Sequence, residues 1–516
     1  MDLKKIQDFQ ILDVVLKNCI AETREVPSVL FAKSIDDIVQ HVRWANNEKK
    51  KLYPISTGNN WGYGSKLPVT DGTHILDLSL MNNITYFNNE TGIISIQPGV
   101  TYGQLYDYLS QFGMKWLTPT HGAGPSCSVL GNILERGYGV TANVDHFDAL
   151  VGMVGVTGGG EIYKSAFEAL GFSELAKTFK WGIGPYMEGI FTQSNLAVIA
   201  EVTIKLEPKF ESAEMFFLYL GDSDLESGVE LIRQCKRQFK GLVSGVQLLN
   251  RERVLSMFMD YPDQLKKPFR PIPEEQLERM AKTQMVSDWV IAGAICGKRC
   301  LTKQALRELK KMSKGFCKRR IFVSDRRLKW LKKLASWFPQ LGSLGLQNMV
   351  GGLSNAYRIF NGEPLDFALA LAYWIHPDVS YKPGANPALD GCGIKWYAPL
   401  LPLESKKVRD FVEVVREVST KYEVNSLITI SAFTDMSGDC TIPILFDPLD
   451  PVSVEKSQAY INELFSKGSE LGVFPYRLAI NQMFRLKTSS NSPIYKALKL
   501  ALDPNGVIAP GRYLPE

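Results

Sequence analysis

The sequence predicts an α+β protein whose first domain is assembled from both ends of the chain around an inserted second domain. Three observations predict this. Short strand-like runs bounded by Gly, Pro, Asn or Asp fill much of the first half of the leading segment. After Glu207-Pro208-Lys209 the texture changes to strands alternating with long, charged helices. A glycine-rich turn, Pro54-Ile-Ser-Thr-Gly-Asn-Asn-Trp-Gly-Tyr-Gly64, has a chemical complement far along the chain in Pro475-Tyr476-Arg477. The expected limits are 1–209 and 476–516 for the divided domain and 210–475 for the insert.

The elements follow in order. Ser34 is placed to cap a helix whose apolar residues recur with a 3.6-residue period through Trp44. Strands are expected over Lys51–Ile55, His74–Leu78 and Gly92–Gln97. Thr101–Phe112 reads as a helix opened by a threonine cap and ended by Gly113. Two glycine-rich stretches, His121–Thr141 and Gly152–Gly160, precede a strand over Leu196–Leu206. Proline-rich breaks near 267–273 and 382–388 punctuate the insert. The chain closes with a helix over Pro493–Leu502 and an Asp503-Pro-Asn-Gly506 turn.

With 516 residues the chain can bury a large core. A net charge of +5 makes no global case for nucleic acid as a partner. There is no run of 18 apolar residues and no secretory apolar core at the start, so the cytoplasm is the expected compartment. The eight cysteines are scattered, with only Cys296 and Cys300 close together, so reduced thiols and no metal site are expected.

The chemistry starts from the glycine turn. Gly58, Gly62 and Gly64 remove the Cβ barrier and let backbone amides approach a pyrophosphate, which suggests a dinucleotide cofactor. No G-x-G-x-x-G follows a strand here, so the site is not of the doubly wound type. Tyr476 and Arg477 set a phenol beside a fixed cation, a pair suited to holding an oxyanion.

Seven stretches in sequence order carry a resemblance: Ser56–Gly64, Pro98–Tyr102, Ser128–Gly139, Val144–His146, Gly184–Asn195, Pro475–Arg477 and Asp503–Gly511. With them the chain resembles the vanillyl-alcohol oxidase and p-cresol methylhydroxylase family of FAD-linked oxidases, from about residue 50 to the C-terminus. The resemblance implies a two-lobed FAD-binding domain and a cap whose antiparallel sheet, flanked by helices, roofs the flavin ring. It places the pyrophosphate on Thr57, Gly58, Asn59, Asn60, Trp61 and Gly62. It places the ring near Gly131, Asn132, Gly137 and Gly139, with His146, Ile199 and Arg512 as further cofactor contacts. Tyr63, Tyr476 and Arg477 would hold a substrate phenol, and Asp145 would act as acid or base near flavin N5.

The implied reaction is oxidation of a para-substituted phenol, by hydride transfer from the benzylic carbon to N5 through a quinone-methide-like intermediate. An arginine lowers the pKa of a bound phenol, and tyrosine hydroxyls hydrogen-bond the phenolate. Plainer roles stand beside these. Tyr63 can pack the turn, Arg477 can cap a carbonyl, Asp145 can cap the turn before Phe147, and His146 can orient its loop. The alternative substrate is a 2-hydroxy acid, with Arg477 on its carboxylate. The rival outside catalysis is a flavin-binding membrane or interaction module.

Two departures from the family pattern bear on function. Where relatives attach FAD through a cap histidine, Phe433–Pro443 offers Asp439 and Cys440, so non-covalent FAD is expected. Cys440 or a cap tyrosine is the attachment point left open. Residues 302–333 carry thirteen Lys/Arg against two acids and run into Leu328–Phe338, where Trp330, Leu331, Leu334, Trp337 and Phe338 share one helical face. Three readings stay open for 302–338: a dock on an anionic membrane surface, a docking patch for an acidic electron acceptor or carrier, and a helix packed on its own domain. A homodimer is compatible with the family but has no signal of its own.

Overall fold

The computed structural model describes residues 5–6, 9–141, 144–267, 269–337, 344–486 and 491–514. Its first sheet runs in the order Lys5–Ile6, Val29–Phe31, Thr73–Asp77, Lys51–Ile55. The last three strands are parallel. They carry the apolar runs expected of strands covered on both faces. The helix Ile35–Asn47 lies against them. Ser34 caps it, accepting from the Asp37 amide, and it buries Ile38, Val39, Val42 and Ala45.

The C-terminal segment returns to this sheet. Ile508 bridges Leu52 in parallel. The Leu52 amide donates to the Val507 carbonyl at 2.8 Å, and the Ala509 amide to the Leu52 carbonyl at 2.7 Å. Asp503, 1% exposed, accepts from the amides of Val507 and Ile508 and from Lys499 Nζ. That buried carboxylate locks the turn that brings Arg512 back to the first domain.

The second sheet is antiparallel, in the order Ile84–Asn88, Ile93–Ile96, Ala197–Lys205, Leu150–Thr157, Ile162–Lys164. The helix Tyr102–Ser110, capped by Thr101, packs beside it.

A nine-stranded sheet belongs to the insert. Its order is Arg319–Ser324, Ser212–Leu220, Trp289–Gly297, Val246–Asn250, Thr429–Ala432, Ser437–Phe446, Pro399–Pro402, Phe474–Pro475, with Gly393–Tyr397 also paired to Ser437–Phe446. Every pairing in it is antiparallel. One face carries Leu248, Ile430, Cys440 and Ile442 into a core closed by the helices Leu225–Gln238, Ser405–Lys421 and Pro451–Glu470. Strand alternation turns the residues between them, Gln247, Ser431, Asp439 and Thr441, to the other face. The proposed domain limits fall between the strands Glu207–Pro208 and Ser212–Leu220 and just after Phe474–Pro475.

The basic segment differs from its helical-wheel reading. In the helix Asp325–Trp337, Leu328 is buried and Leu331 packs with Leu353 and Phe360, so the leucines face their own domain. Trp330 does not share that face. It is 61% exposed, beside exposed Lys329 and Lys332. The side chains of Leu334 and Trp337, and the whole of Phe338, lie outside the described residues. Some of the cations have structural work. The strand Arg319–Ser324 is the sheet edge, where charge discourages pairing with another chain. Arg319 stacks at 3.9 Å from the Tyr219 ring centre and donates to the Met285 carbonyl. No described helix is long and apolar enough to cross a membrane.

Candidate active site

The two pieces of the first domain and the polar face of the insert's sheet enclose a cavity of about 450 Å³. One wall is the turn after the strand Lys51–Ile55. Among the described residues, the backbone amides of Thr57, Gly58, Asn59, Asn60 and Trp61 have no acceptor within the chain, and all five residues line the cavity. Such a row of free amides is an anion-binding nest. The Gly62 amide does not join it, because it donates to Cys19, and Gly62 is not among the lining residues. Its role is steric. Gly62 has φ +82°, and a Cβ there would lie 2.3 Å from the Trp396 indole. The indole is itself held by a 2.8 Å hydrogen bond to the Trp61 carbonyl. Gly62→Ala is therefore expected to cost about 1 kcal/mol in backbone strain, plus the displaced indole, and to shift the turn. The check is a lower flavin-to-protein absorbance ratio together with a lower Tm.

A second wall is the segment 131–140. Gly131, Asn132, Gly137 and Gly139 all line the cavity. A Cβ on Gly139 would lie 2.2 Å from the Thr120 carbonyl oxygen, so the chain approaches there as only glycine permits. Ile199 and Arg512 also line the cavity.

Tyr63, Tyr476 and Arg477 converge on it. The Arg477 guanidinium lies 4.2 Å from the Tyr63 ring centre. Gln193 Nε2 donates to the Tyr476 carbonyl at 2.8 Å and fixes that residue's backbone. Neither tyrosine hydroxyl has a hydrogen-bond partner among the described residues. Burial, only partly offset by Arg477, pushes both phenols above their ordinary pKa. Both hydroxyls thus stay protonated and available as donors.

Arg477 is held by Glu135. Its Nε lies 3.1 Å from Glu135 Oε2, while Arg512 Nη2 reaches Oε1 at 2.6 Å and the Tyr513 hydroxyl donates to Oε2 at 2.5 Å. Burial would raise the Glu135 pKa, but the two arginines outweigh it and hold the carboxyl at about 2. Two guanidinium groups around one carboxylate leave one net positive charge, which suits a single bound anion.

The insert supplies Asp439, 0% exposed. Its Oδ2 accepts from the hydroxyls of Tyr138 and Thr441. Its Oδ1 is buried with no partner among the described residues. Burial, relieved only partly by those two hydroxyls, raises its pKa to about 6. Asp439 is a buried carboxylate of the cavity wall with one oxygen free, and it is the residue sequence reasoning passed over. There it marked only a missing histidine. Its hydrogen-bond partner Tyr138, and Glu135 nearby in the chain, lay inside the matched Ser128–Gly139 stretch without a role.

Asp145 stands apart from the residues that converge on the cavity. It is exposed and absent from the cavity wall, and its Oδ1 accepts from the amides of Phe147 and Asp148. It caps a turn, the plainer of its two sequence readings. His146 is also outside the wall. It is buried, and its Nδ1 lies 2.6 Å from Asn132 Oδ1, so it braces the segment that does line the cavity. His121, unremarked in the sequence, lines the cavity instead. Its Nδ1 accepts from the Ala123 amide, which puts the proton on Nε2, a buried donor with no partner. Burial and Arg477 lower its pKa to about 4, so it is neutral.

Cys440 points away from the cavity, into the apolar core of the insert, where burial pushes its thiol far up. A thioether from Cys440 does not fit this geometry. The tyrosines that line the cavity are Tyr53, Tyr63, Tyr138 and Tyr476, none from 210–475.

A flavin dinucleotide fits these residues. The free amides of 57–61 suit its pyrophosphate, and Gly131, Gly137 and Gly139 form a side-chain-free stretch of the cavity wall. The buried Nε2–H of His121 is a donor in search of an acceptor.

Comparison with known proteins agrees. Residues 26–166 match the model of an FAD binding domain. The chain is 31% identical over 506 residues to the 1'-carboxy-chondrochloren decarboxylase of Chondromyces crocatus, covering 96% of this chain and 91% of that one. It is 27% identical to the 4-cresol dehydrogenase (hydroxylating) flavoprotein subunit of Pseudomonas putida, over 93% of this chain and 86% of the other. Its fold matches a solved 4-ethylphenol oxidase from Gulosibacter chungangensis in complex with isoeugenol, with a TM-score of 0.87 at 22% identity, covering 99% of this chain and 94% of that one.

Proposed function

The chain belongs to the p-cresol-methylhydroxylase-type family of FAD-dependent oxidoreductases, and within that family we propose that it oxidises a para-substituted phenol at the benzylic carbon. The observation that carries this reading is the convergence of two unpartnered tyrosine hydroxyls, a buried guanidinium and a buried carboxylate with one free oxygen. When bound, FAD supplies the two-electron acceptor.

The chain's own residues prepare the phenol. Tyr63 and Tyr476 donate to the phenol oxygen, and Arg477 stabilises negative charge there. Asp439 Oδ1 accepts the proton the phenol gives up, while Tyr138 and Thr441 hold the other carboxylate oxygen and so fix the direction of Oδ1. The ionised ring then pushes electrons toward the para position, which lowers the barrier to loss of hydride from the adjacent carbon. The burial of Tyr63 and Asp439 limits competition from water for these hydrogen bonds.

The test is anaerobic mixing of the purified yellow protein with 4-ethylphenol and with a 2-hydroxy acid. Bleaching of the flavin by the phenol alone is the expected result, and bleaching by the hydroxy acid alone would refute the reading. Acid precipitation of the same sample is expected to leave the flavin in the supernatant. A yellow pellet would place a covalent bond to FAD somewhere other than Cys440.

The full-length similarity to a decarboxylase supports a second reading. After the same oxidation, a carboxylate on the side chain leaves as CO2, and the electron pair of the broken C–C bond returns to the ring oxygen. Release of CO2 in step with flavin bleaching separates this outcome from addition of water. The surplus cations of 302–333 are the best docking ground on the insert for an acidic electron-accepting protein.

A further inference from the structure

The cavity holds one cation that the phenol chemistry does not use. Arg253 lines it from the first turn of the helix Arg251–Phe258, directly after the strand Val246–Asn250. The two other lining arginines, Arg477 and Arg512, share Glu135. Its helix neighbour Arg251 is paired with Glu252 and Glu274, each at 2.9 Å. Arg253 has no carboxylate partner among the described residues. Its side chain makes one hydrogen bond, from Nη1 to Ser256 Oγ at 3.0 Å. Burial without a counter-ion lowers its pKa to about 10, which still leaves it charged at neutral pH. A guanidinium kept in such a place is stabilised by whatever anion meets it.

The wall between this cation and the catalytic group is polar and ordered. On the insert's sheet Gln247 lies opposite Ser431, and Ser431 opposite Asp439. Thr429 lies opposite Leu249 on one side and Thr441 on the other. All of these except Leu249 line the cavity. The strand that holds Gln247 leads directly into the helix that bears Arg253, so the cation stands beyond the end of this strand in the same cavity as Asp439. A substrate with its phenol among Tyr63, Tyr476 and Arg477 would carry its para substituent along this row.

We infer that Arg253 binds a carboxylate on the para side chain of the substrate, so that the enzyme selects para-hydroxyphenyl acids over neutral alkylphenols. The planar fork of the guanidinium matches a carboxylate bidentately, and its unmet donors would be left bare by an apolar chain. The inference rests on the phenol reading for the other end of the substrate.

Calorimetric titration of the chemically reduced holoenzyme, which cannot turn over, tests both ends separately. The probes are 3-(4-hydroxyphenyl)propanoate, its primary amide, and 3-phenylpropanoate. The acid is expected to bind at least about ten-fold tighter than the amide, as a buried charge-assisted pair requires. Arg253→Met should abolish that preference, weakening the acid far more than the amide, and Arg253→Lys should restore part of it. An acid preference that survives in R253M overturns the inference, as does wild-type protein that fails to distinguish acid from amide. Loss of FAD from R253M, restored in R253K, would assign the cation to the cofactor and overturn it too. Equal binding of the two acids with and without the ring hydroxyl would strike the phenol reading alone, since the acid–amide comparison still decides the role of Arg253.

Discussion

Replacing Asp439 with asparagine is expected to slow flavin reduction by a phenol by about 10²- to 10⁴-fold, the usual loss for a positioned base, while FAD stays bound. Asparagine keeps the shape, and its one carbonyl oxygen can still accept from Tyr138 and Thr441, but the free position then holds an NH2 group, which cannot take a proton. The pH profile separates catalysis from mere packing. With its pKa raised to about 6, Asp439 is the working base only above that pH. Wild-type kcat/KM should therefore rise with pH through a limb near 6, and D439N should lack that limb. An unchanged rate with an unchanged limb would remove Asp439 from the mechanism.

Stability should move the other way. Burial raises the folded-state pKa of Asp439 from the ordinary carboxylate range to about 6. The folded state thus favours the protonated form. Below the ordinary range both folded and unfolded chains are protonated, and the preference is fully realised. It is lost as pH rises through 6, and above that pH the buried charge costs on the order of 3 kcal/mol. D439N removes the charge, so it should melt above wild type at pH 7.5 and show little or no gain at pH 4. Mutants that gain stability while losing activity are the signature of a strained functional group.

Arg477→Met is the second large expectation. The pKa of a bound phenol should rise by about 1–3 when its buried cation is removed. Phenol kcat/KM should fall by about 10²-fold or more. Bound 4-nitrophenol reports this directly, through the colour of its phenolate. On wild-type holoenzyme the colour should persist below the pH at which the free probe loses it. On R477M it should fade at higher pH, and on Arg477→Lys between the two. A probe that titrates alike on all three proteins would leave Arg477 a purely structural role. Glu135 keeps Arg512 and Tyr513 in the variant, so its charge is not orphaned and the fold should survive.

Much of this was readable along the chain, because it is written in neighbouring residues. Ser34 and Thr101 cap the helices expected of them. The strand Lys51–Ile55 has its predicted bounds, and Thr73–Asp77 and Ala197–Lys205 lie within a residue of theirs. Caps, turns and glycine positions act over a few residues, so sequence spacing reports them. Tyr63, Tyr476 and Arg477 were named from their type and motif, and the fold gathers them into one cavity.

What sequence could not decide was which carboxylate is buried and which cation lacks a partner. Asp145 and Asp439 are the same residue chemically. One caps an exposed turn. The other faces inward, because pairing with Thr429–Ala432 sets which face of its strand meets the cavity. A strand's alternation is local, but the side that becomes buried depends on neighbours far away in the chain. Glu135 binds two arginines from the C-terminal segment, and Arg253 has no acid beside it among the described residues. Both facts arise only once distant segments close around them. Motifs and their order were enough for the family, the cofactor and the succession of elements, whereas tertiary structure alone set the raised pKa of Asp439 and decided which of the arginines meets a carboxylate.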